Sequence, residues 1–214
     1  MAVRPVFVPR ETGRFLVDEI PIEFDWAPGF AEVQKKKNVK ALHEAAMGRG
    51  LNSLLEISSK SEIEVGRRLS AFSLKLEVDG EMYGLESVYQ GSKVFERCGP
   101  REEFFHLAPR EAKRAVRETD CGQLIAFELE GVRYPLSPKN AFYDWLYIRA
   151  IAPHFDWIER KIRYEAFTDI EFNPSKQVNC QARAFAEFLG LLRSGKLREA
   201  VSDFYYFASL LKPI

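Results

Sequence analysis

Residues 72–97 constrain the fold class more tightly than any other stretch of the chain. Phe72, Leu74, Leu76 and Val78 alternate with Ser73, Lys75 and Glu77, the period-two pattern of a half-buried strand. Asp79-Gly80 follows, and both residues tolerate the positive φ that a two-residue hairpin turn demands. Glu86–Arg97 then contains no proline and runs into Gly99-Pro100, which predicts a helix with a stop signal. A second hairpin is expected at Glu130-Gly131, between Leu124–Leu129 and Val132–Leu136. Hairpins interleaved with helices define an α+β chain, with several helices packed around a small antiparallel sheet.

The remaining elements fit this class. Ile20, Ile22, Phe24 and Trp26 alternate with Pro21, Glu23 and Asp25, a further strand. Gln34–Met47 reads as a helix with Val39, Leu42 and Ala46 on one face and Lys35, Lys36, Lys37 and Lys40 around it. Ser137-Pro138 offers an N-cap and first-turn proline for a helix through about Ala152. Ser175 is placed to cap another, in which Val178, Ala182, Phe185, Leu189 and Leu192 form one stripe ended by Gly195. No repeat and no Pro-, Gly- or Ser-rich linker divides the chain, so residues 1–214 are expected to form a single domain.

Composition narrows the function. The chain has 17 Phe, 8 Tyr and 3 Trp in 214 residues, which excludes disorder. A formal net charge of +0 opposes a protein that coats nucleic acid by long-range attraction, although a local basic cleft stays open. Cys98, Cys121 and Cys180 form no CxxC pair, so the spacing supports neither a disulfide framework nor a zinc knuckle. His43, His106 and His154 are equally isolated. No secretory signal and no apolar run of membrane-spanning length occurs. The expectation is a reduced, cytoplasmic protein without metal, cofactor or membrane partner.

Five polar constellations bear on chemistry. On the helix expected over Glu86–Arg97, Glu86, Gln90 and Lys93 fall at i, i+4 and i+7 and share a face, opposite Val88, Ser92 and Phe95. Taken alone this is a solvated stripe; aimed into a cleft, it is a carboxyl and an amine able to act as acid and nucleophile. In Phe167–Pro174, Asp169, Glu171 and Asn173 alternate with Ile170 and Phe172, and Asn179, Gln181 and Arg183 follow at a helix start that favours anions. Asp144 and Trp145 lie in the aromatic run Phe142–Tyr147, which is either core or a clamp for a base or ribose. Ile57–Ser61 is a polar run that lacks the glycines of a phosphate-binding P-loop. Arg110, Lys113, Arg114 and Arg117 make one helical segment basic, as a solvated face or as a contact for a polyanion.

Together these residues carry a resemblance. Ser70-Ala-Phe, the Asp79-Gly80 hairpin, Glu86-Ser-Val-Tyr-Gln90-Gly-Ser-Lys93, Asp144-Trp145 and Asp169 resemble the NADAR family over about residues 70–190. The whole chain, with residues 1–69 as an N-terminal extension on that core, looks like the subgroup associated with DarT-type DNA ADP-ribosyltransferase toxins. That closer likeness rests on the Arg4-Pro-Val-Phe start, Glu23-Phe-Asp-Trp, Gln34-Lys-Lys-Lys-Asn, Ile57-Ser-Ser-Lys-Ser, Phe167–Pro174 and Asn179-Cys-Gln-Ala-Arg. Ile170-Glu-Phe stands where riboflavin-pathway members carry Trp-Gly after the late aspartate, a departure that weighs against a riboflavin-type substrate.

The resemblance implies an antitoxin hydrolase that removes ADP-ribose from guanine bases in DNA and reverses a partner toxin's modification. It implies Lys93 as nucleophile through a Schiff base, Glu86 as acid/base and Asp169 as electrostatic partner, with the two carboxyls interchangeable on these grounds. Tyr89 and Trp145 are the candidate base-stacking residues, and Lys60 and Arg183 the candidates for the diphosphate. Ser59, Gln90, Asp144, Glu171, Asn173, Asn179 and Gln181 complete the expected ligand contacts, and Lys35, Lys36, Lys113 and Arg114 the expected DNA contacts. The alternatives are an N-glycosidase for a small ribosylated metabolite and a non-catalytic protein that binds ADP-ribose or the toxin.

Overall fold

A computed structural model describes residues 1–29 and 31–212. In chain order the first elements are β1 (Ala2–Pro9), β2 (Val17–Phe24), α1 (Glu32–Met47), β3 (Leu54–Glu56) and α2 (Glu64–Arg68). The hairpin β4 (Lys75–Val78) and β5 (Glu81–Gly84) leads into α3 (Leu85–Gly91) and β6 (Lys93–Phe95). A 3-10 turn precedes α4 (Pro109–Glu118), followed by β7 (Leu124–Leu129), β8 (Val132–Tyr134) and α5 (Ala141–Ile151). The chain closes with α6 (Phe155–Lys161), β9 (Ala166–Thr168), α7 (Gln181–Arg193), α8 (Leu197–Ser202) and α9 (Phe204–Ser209). This is the expected α+β single domain. Among the described residues no helix is long and apolar enough to cross a membrane.

The strands form a four-stranded sheet in the order β2-β1-β9-β3, the β4-β5 hairpin, and the sheet β6-β7-β8. Pairing is antiparallel except between β3 and β9, which run parallel with Glu56 opposite Thr168. Strand alternation sends side chains to opposite faces of the large sheet. Val6, Ile22, Phe24, Leu54 and Ala166 pack under Val39, Leu42 and Ala46 of α1. On the other side Phe7, Leu55 and Phe167 join the main core with Phe185 and Phe188 of α7 and the buried face of α5. The aromatic run Phe142–Tyr147 is therefore core, almost all of it below a tenth exposed.

Both predicted hairpin turns form. Asp79 and Gly80 have φ of 50° and 83°, and Glu130 and Gly131 have 52° and 71°, the left-handed values a two-residue turn between right-twisted strands requires.

Three helix expectations are corrected. The helix predicted over Glu86–Arg97 ends at Gly91, and Lys93–Phe95 is a strand paired with β7. The Gly91 carbonyl accepts from the Arg101 amide at 2.7 Å and the Ser92 carbonyl from the Glu128 amide at 2.7 Å, so tertiary partners replace the next helical turn. The helix expected from Ser137 begins at Ala141 with Asn140 as N-cap, because the chain makes a turn first, with Ala141 N donating to Pro138 O. Ser175 caps nothing; it is tied to Asn173, and α7 starts at Gln181, leaving Val178 outside the stripe.

The cysteine expectation is corrected as well. Cys98 and Cys121 form a disulfide with Cα atoms 5.4 Å apart, and Cys180 alone is a free, buried thiol. Sequence spacing concealed this pair because it depends on sheet register. Glu96 N bonds Gln123 O and Arg97 N bonds Cys121 O, drawing the two segments alongside each other.

Candidate active site

The β4-β5 hairpin feeds α3 without a linker, and the Leu85 amide bonds back to Leu74 O at 3.1 Å. Leu85 and Val88 are fully buried, which leaves Glu86, Tyr89 and Gln90 on the opposite side of this short helix. Gly91 sits where a Cβ would lie 2.6 Å from the Arg101 carbonyl oxygen and 2.7 Å from the Phe105 ring. That close approach lets the chain turn at Ser92 and bring Lys93 back beside α3 at the start of β6. The Lys93 Nζ donates to Gln90 Oε1 at 2.7 Å and stands 4.9 Å from the centre of the Tyr89 ring. Glu86 and Lys93 therefore line the same cavity across a helix-to-strand turn instead of along one helical face.

A cavity of about 310 Å³ opens over these groups. Glu86, Tyr89, Gln90, Lys93, Lys113, Asp169, Glu171, Asn179 and Gln181 all line it, drawn from α3, β6, α4, the segment after β9 and the start of α7. The Tyr143 hydroxyl donates to Glu86 Oε1 at 2.8 Å from beneath. Asp169 Oδ1 accepts from the Glu171 amide at 3.0 Å. Gln181 Oε1 accepts from Ala71 N at 2.8 Å and Ser70 Oγ at 3.2 Å, which orients its amide nitrogen away from these donors.

Burial sets the protonation of the site. It lowers Lys93 to about 8, helped by the nearby Lys113 and Arg117 cations and opposed by Glu86. Burial also raises Glu86, while the Tyr143 hydrogen bond and the Lys113 and Lys93 charges pull it back. Asp169 is pushed well above the usual carboxylate range by burial and then by the like charge of Glu56; the Glu171 amide and Gln181 oppose the shift. Tyr89 is raised to about 12 by burial and remains a phenol. The arrangement thus holds an amine with an accessible neutral form together with Asp169, a carboxyl pushed well above its usual range, and Glu86, raised by burial and held back by neighbouring cations, which is chemistry for a nucleophile with acid/base partners.

Other expected contacts lie elsewhere. Asp144 is fully buried and accepts from Asn140 Nδ2 at 2.7 Å and from Arg183 Nε at 3.3 Å. Arg183 is 4% exposed and faces Asp144, Glu187 and Glu19, so it serves an internal ion-pair network instead of a diphosphate. Trp145 is 5% exposed, packs edge-on to Phe204 and donates Nε1–H to the Ala200 carbonyl at 3.1 Å, leaving no face for a base. Asn173 accepts from Ser175 in its own turn. Ser59 and Lys60 fall in the loop after β3, outside the cavity wall, with Lys60 near Glu32. Asp144, Trp145 and Arg183 carry the polarity a binding site uses, and the structure commits it to buried partners.

Of the expected DNA contacts, Lys113 lines the cavity, and Lys35 stands 3.9 Å from Glu171, one of the cavity residues. Lys36 pairs with Glu32 at 3.0 Å and Arg114 with Glu118 at 3.9 Å, both on exposed helix faces. Sequence reasoning passed over Phe72, Tyr143, Phe172, Gln177 and Val178, which also line the cavity. Phe72 gave a signal that was misassigned: its place in the alternation suggests a core strand, yet it precedes β4 and is 57% exposed at the cavity.

The protein is thus an α+β domain in which a partly desolvated lysine, a half-buried carboxyl and a buried one line a single polar cavity, an arrangement able to support nucleophilic or acid/base chemistry on a polar ligand. The chain belongs to the DarT1-associated NADAR antitoxin family, whose model matches residues 2–214. Among curated proteins none matches it.

Proposed function

We propose that the protein is an ADP-ribosyl glycohydrolase that frees guanine bases of DNA from ADP-ribose and so acts in the cytoplasm as antitoxin to a DarT-type toxin. The observation that carries the reading is the convergence of Lys93, Glu86 and Asp169 on one cavity. The family to which the chain belongs supports the antitoxin role.

The bond to be broken joins the anomeric carbon of a ribose to a guanine nitrogen, and its cleavage builds positive charge on the sugar. The neutral Lys93 amine attacks that carbon while a carboxylic acid protonates the departing nitrogen, releasing guanine. The ribose ring of the lysyl adduct opens to a Schiff base, with the ring oxygen taking up a proton. Water then adds to the same carbon, the amine leaves, and ADP-ribose closes as product. We assign the acid to Asp169, the carboxyl more strongly held in its protonated form. Glu86, close to the Lys93 and Lys113 charges, is the base that accepts the lysine proton and later activates water. Relative to the expectation of Glu86 as acid/base and Asp169 as electrostatic partner, only the acid role moves to Asp169.

Tyr89, Gln90, Asn179 and Gln181 surround the sugar and its base. On α4 both acids are committed, Glu111 to the Ala108 amide and Glu118 to Arg114. Arg110, Lys113 and Arg117, spaced i, i+3 and i+7 and exposed, have no carboxylate partner among the described residues. This stripe, which begins at the cavity wall, favours a polyanionic substrate over a small ribosylated metabolite.

The test is release of ADP-ribose from a guanine-modified oligonucleotide beside a small riboflavin-pathway ribosylamine. Faster release from DNA is expected, with borohydride during turnover leaving an adduct on Lys93. Turnover of DNA by Lys93→Ala at the wild-type rate refutes the nucleophile, and preference for the small substrate refutes the DNA assignment.

A further inference from the structure

Glu56 lies outside the cavity wall, is 2% exposed, and has no part in the chemistry described above. Its hydrogen bonds nevertheless enclose the residue on which that chemistry depends. Glu56 is the last residue of β3 and stands opposite Thr168, the last residue of β9. Its Oε2 accepts from Thr168 Oγ1 at 2.6 Å, and its Oε1 from the Ile170 amide at 2.9 Å and from Ser58 Oγ at 2.6 Å. The Ile57 amide adds a bond to the Thr168 carbonyl at 2.8 Å. The residues on both sides of Asp169 are thus gripped by one carboxylate. Strand-like alternation then turns Asp169 the other way, into the cavity. His43 extends the grip, with Nε2 2.8 Å from Thr168 Oγ1. The threonine proton is engaged with Glu56, so His43 donates, which selects its Nε2–H tautomer.

The two carboxyls are unequally solvated. Glu56 accepts three hydrogen bonds at 2.9 Å or less. Asp169 accepts one amide at 3.0 Å and a long contact from Cys180 Sγ at 3.9 Å, with Gln181 as a further donor. Donors stabilise the charged form, and neighbouring like charges resist double ionisation. We propose that Glu56 is the positioning residue of the site: it fixes Thr168 and Ile170 so that Asp169 faces the sugar, and its charge leaves the shared proton on Asp169. The inference rests on the reading of Asp169 as the group that protonates the leaving base.

Burial acts in the same direction on both groups, raising Glu56 to about 7 and Asp169 well above the usual carboxylate range. The other charged and titratable groups around Asp169 are Arg4 on β1, Tyr143 and Tyr147 on α5, Glu171 on its own segment and Cys180 before α7, with Glu86, Lys93 and Lys113 across the cavity. Burial apart, the Glu56 charge is what raises Asp169 most.

The experiment uses the full chain with aspartate carboxyls labelled with carbon-13, in wild type, Glu56→Gln and Thr168→Val. Glu56→Gln preserves shape and removes the charge, so the Asp169 titration midpoint falls and the alkaline limb of turnover moves to lower pH. The sign follows because a required acid is active below its folded pKa and lost above it. Thr168→Val keeps the charge and removes one tie, so kcat falls between about tenfold and a hundredfold with KM held, as misplacement of a reacting group does. An Asp169 midpoint unchanged by Glu56→Gln overturns the proposal, as does an unchanged kcat in Thr168→Val. If wild type releases no ADP-ribose while the midpoint still falls in Glu56→Gln, the glycohydrolase reading fails and the coupling of the two carboxyls stands.

Discussion

The free amine of Lys93 can be tested through the pH dependence of single-turnover release. With the group at about 8, about a tenth of it is neutral at pH 7 and about a hundredth at pH 6, against about one part in three thousand at pH 7 for an unperturbed lysine. On its acid limb the rate is therefore expected to rise about tenfold per pH unit toward about 8, until loss of the Asp169 proton turns it down, whereas with an ordinary lysine the neutral amine fraction would still be climbing at pH 10. Lys113→Met separates the causes. Removing the neighbouring cation relieves repulsion on the charged form, so the midpoint of the acid limb moves upward and the rate at pH 7 falls. The assay is rapid-quench release of ADP-ribose from modified oligonucleotide between pH 6 and 10. A wild-type rate that is flat from pH 6 to 8, or a midpoint that moves down in Lys113→Met, refutes the reasoning.

Three further outcomes are expected. Gly91→Ala drives a Cβ into the Arg101 carbonyl and Phe105 ring, costing about 1–3 kcal/mol in urea unfolding; a loss under half of that means the turn accommodates the methyl. His43, held neutral by burial at about 4, contributes stability that is present above its unfolded value near 6.5 and is lost as pH falls toward 4. At pH 5 that loss amounts to about 2 kcal/mol relative to pH 7.5, and His43→Gln should remove this part of the pH dependence. Arg110→Gln with Arg117→Gln should flatten the salt dependence of oligonucleotide binding by about 0.7–0.9 per cation engaged. An unchanged slope assigns that face to solvent.

Local pattern carried much of the fold. The two hairpins were legible because Asp79-Gly80 and Glu130-Gly131 meet a dihedral requirement that few dipeptides satisfy, a preference settled within four residues. The face of α1 was legible because Val39, Leu42 and Ala46 recur at helical spacing regardless of what they pack against. The roles of Lys93, Glu86 and Asp169 are implied by the family resemblance, not by spacing alone, and the three line one cavity. Lys93 belongs to a strand, however, because Phe127 pairs with it across a distance no local rule spans. Asp144, Trp145 and Arg183 have the same residue types a binding site uses, and only packing determined that their partners are Asn140, the Ala200 carbonyl and one another.

What the sequence determined by itself, then, is what short-range sterics and periodicity can encode: turn dihedrals, buried faces and a supply of ionisable groups. The tertiary structure decided where the third helix stops, which cysteines meet, and which carboxyl sits behind Asp169. Those outcomes depend on hydrogen bonds between distant segments and on loss of water around charged groups. Neither exists until the chain has closed on itself.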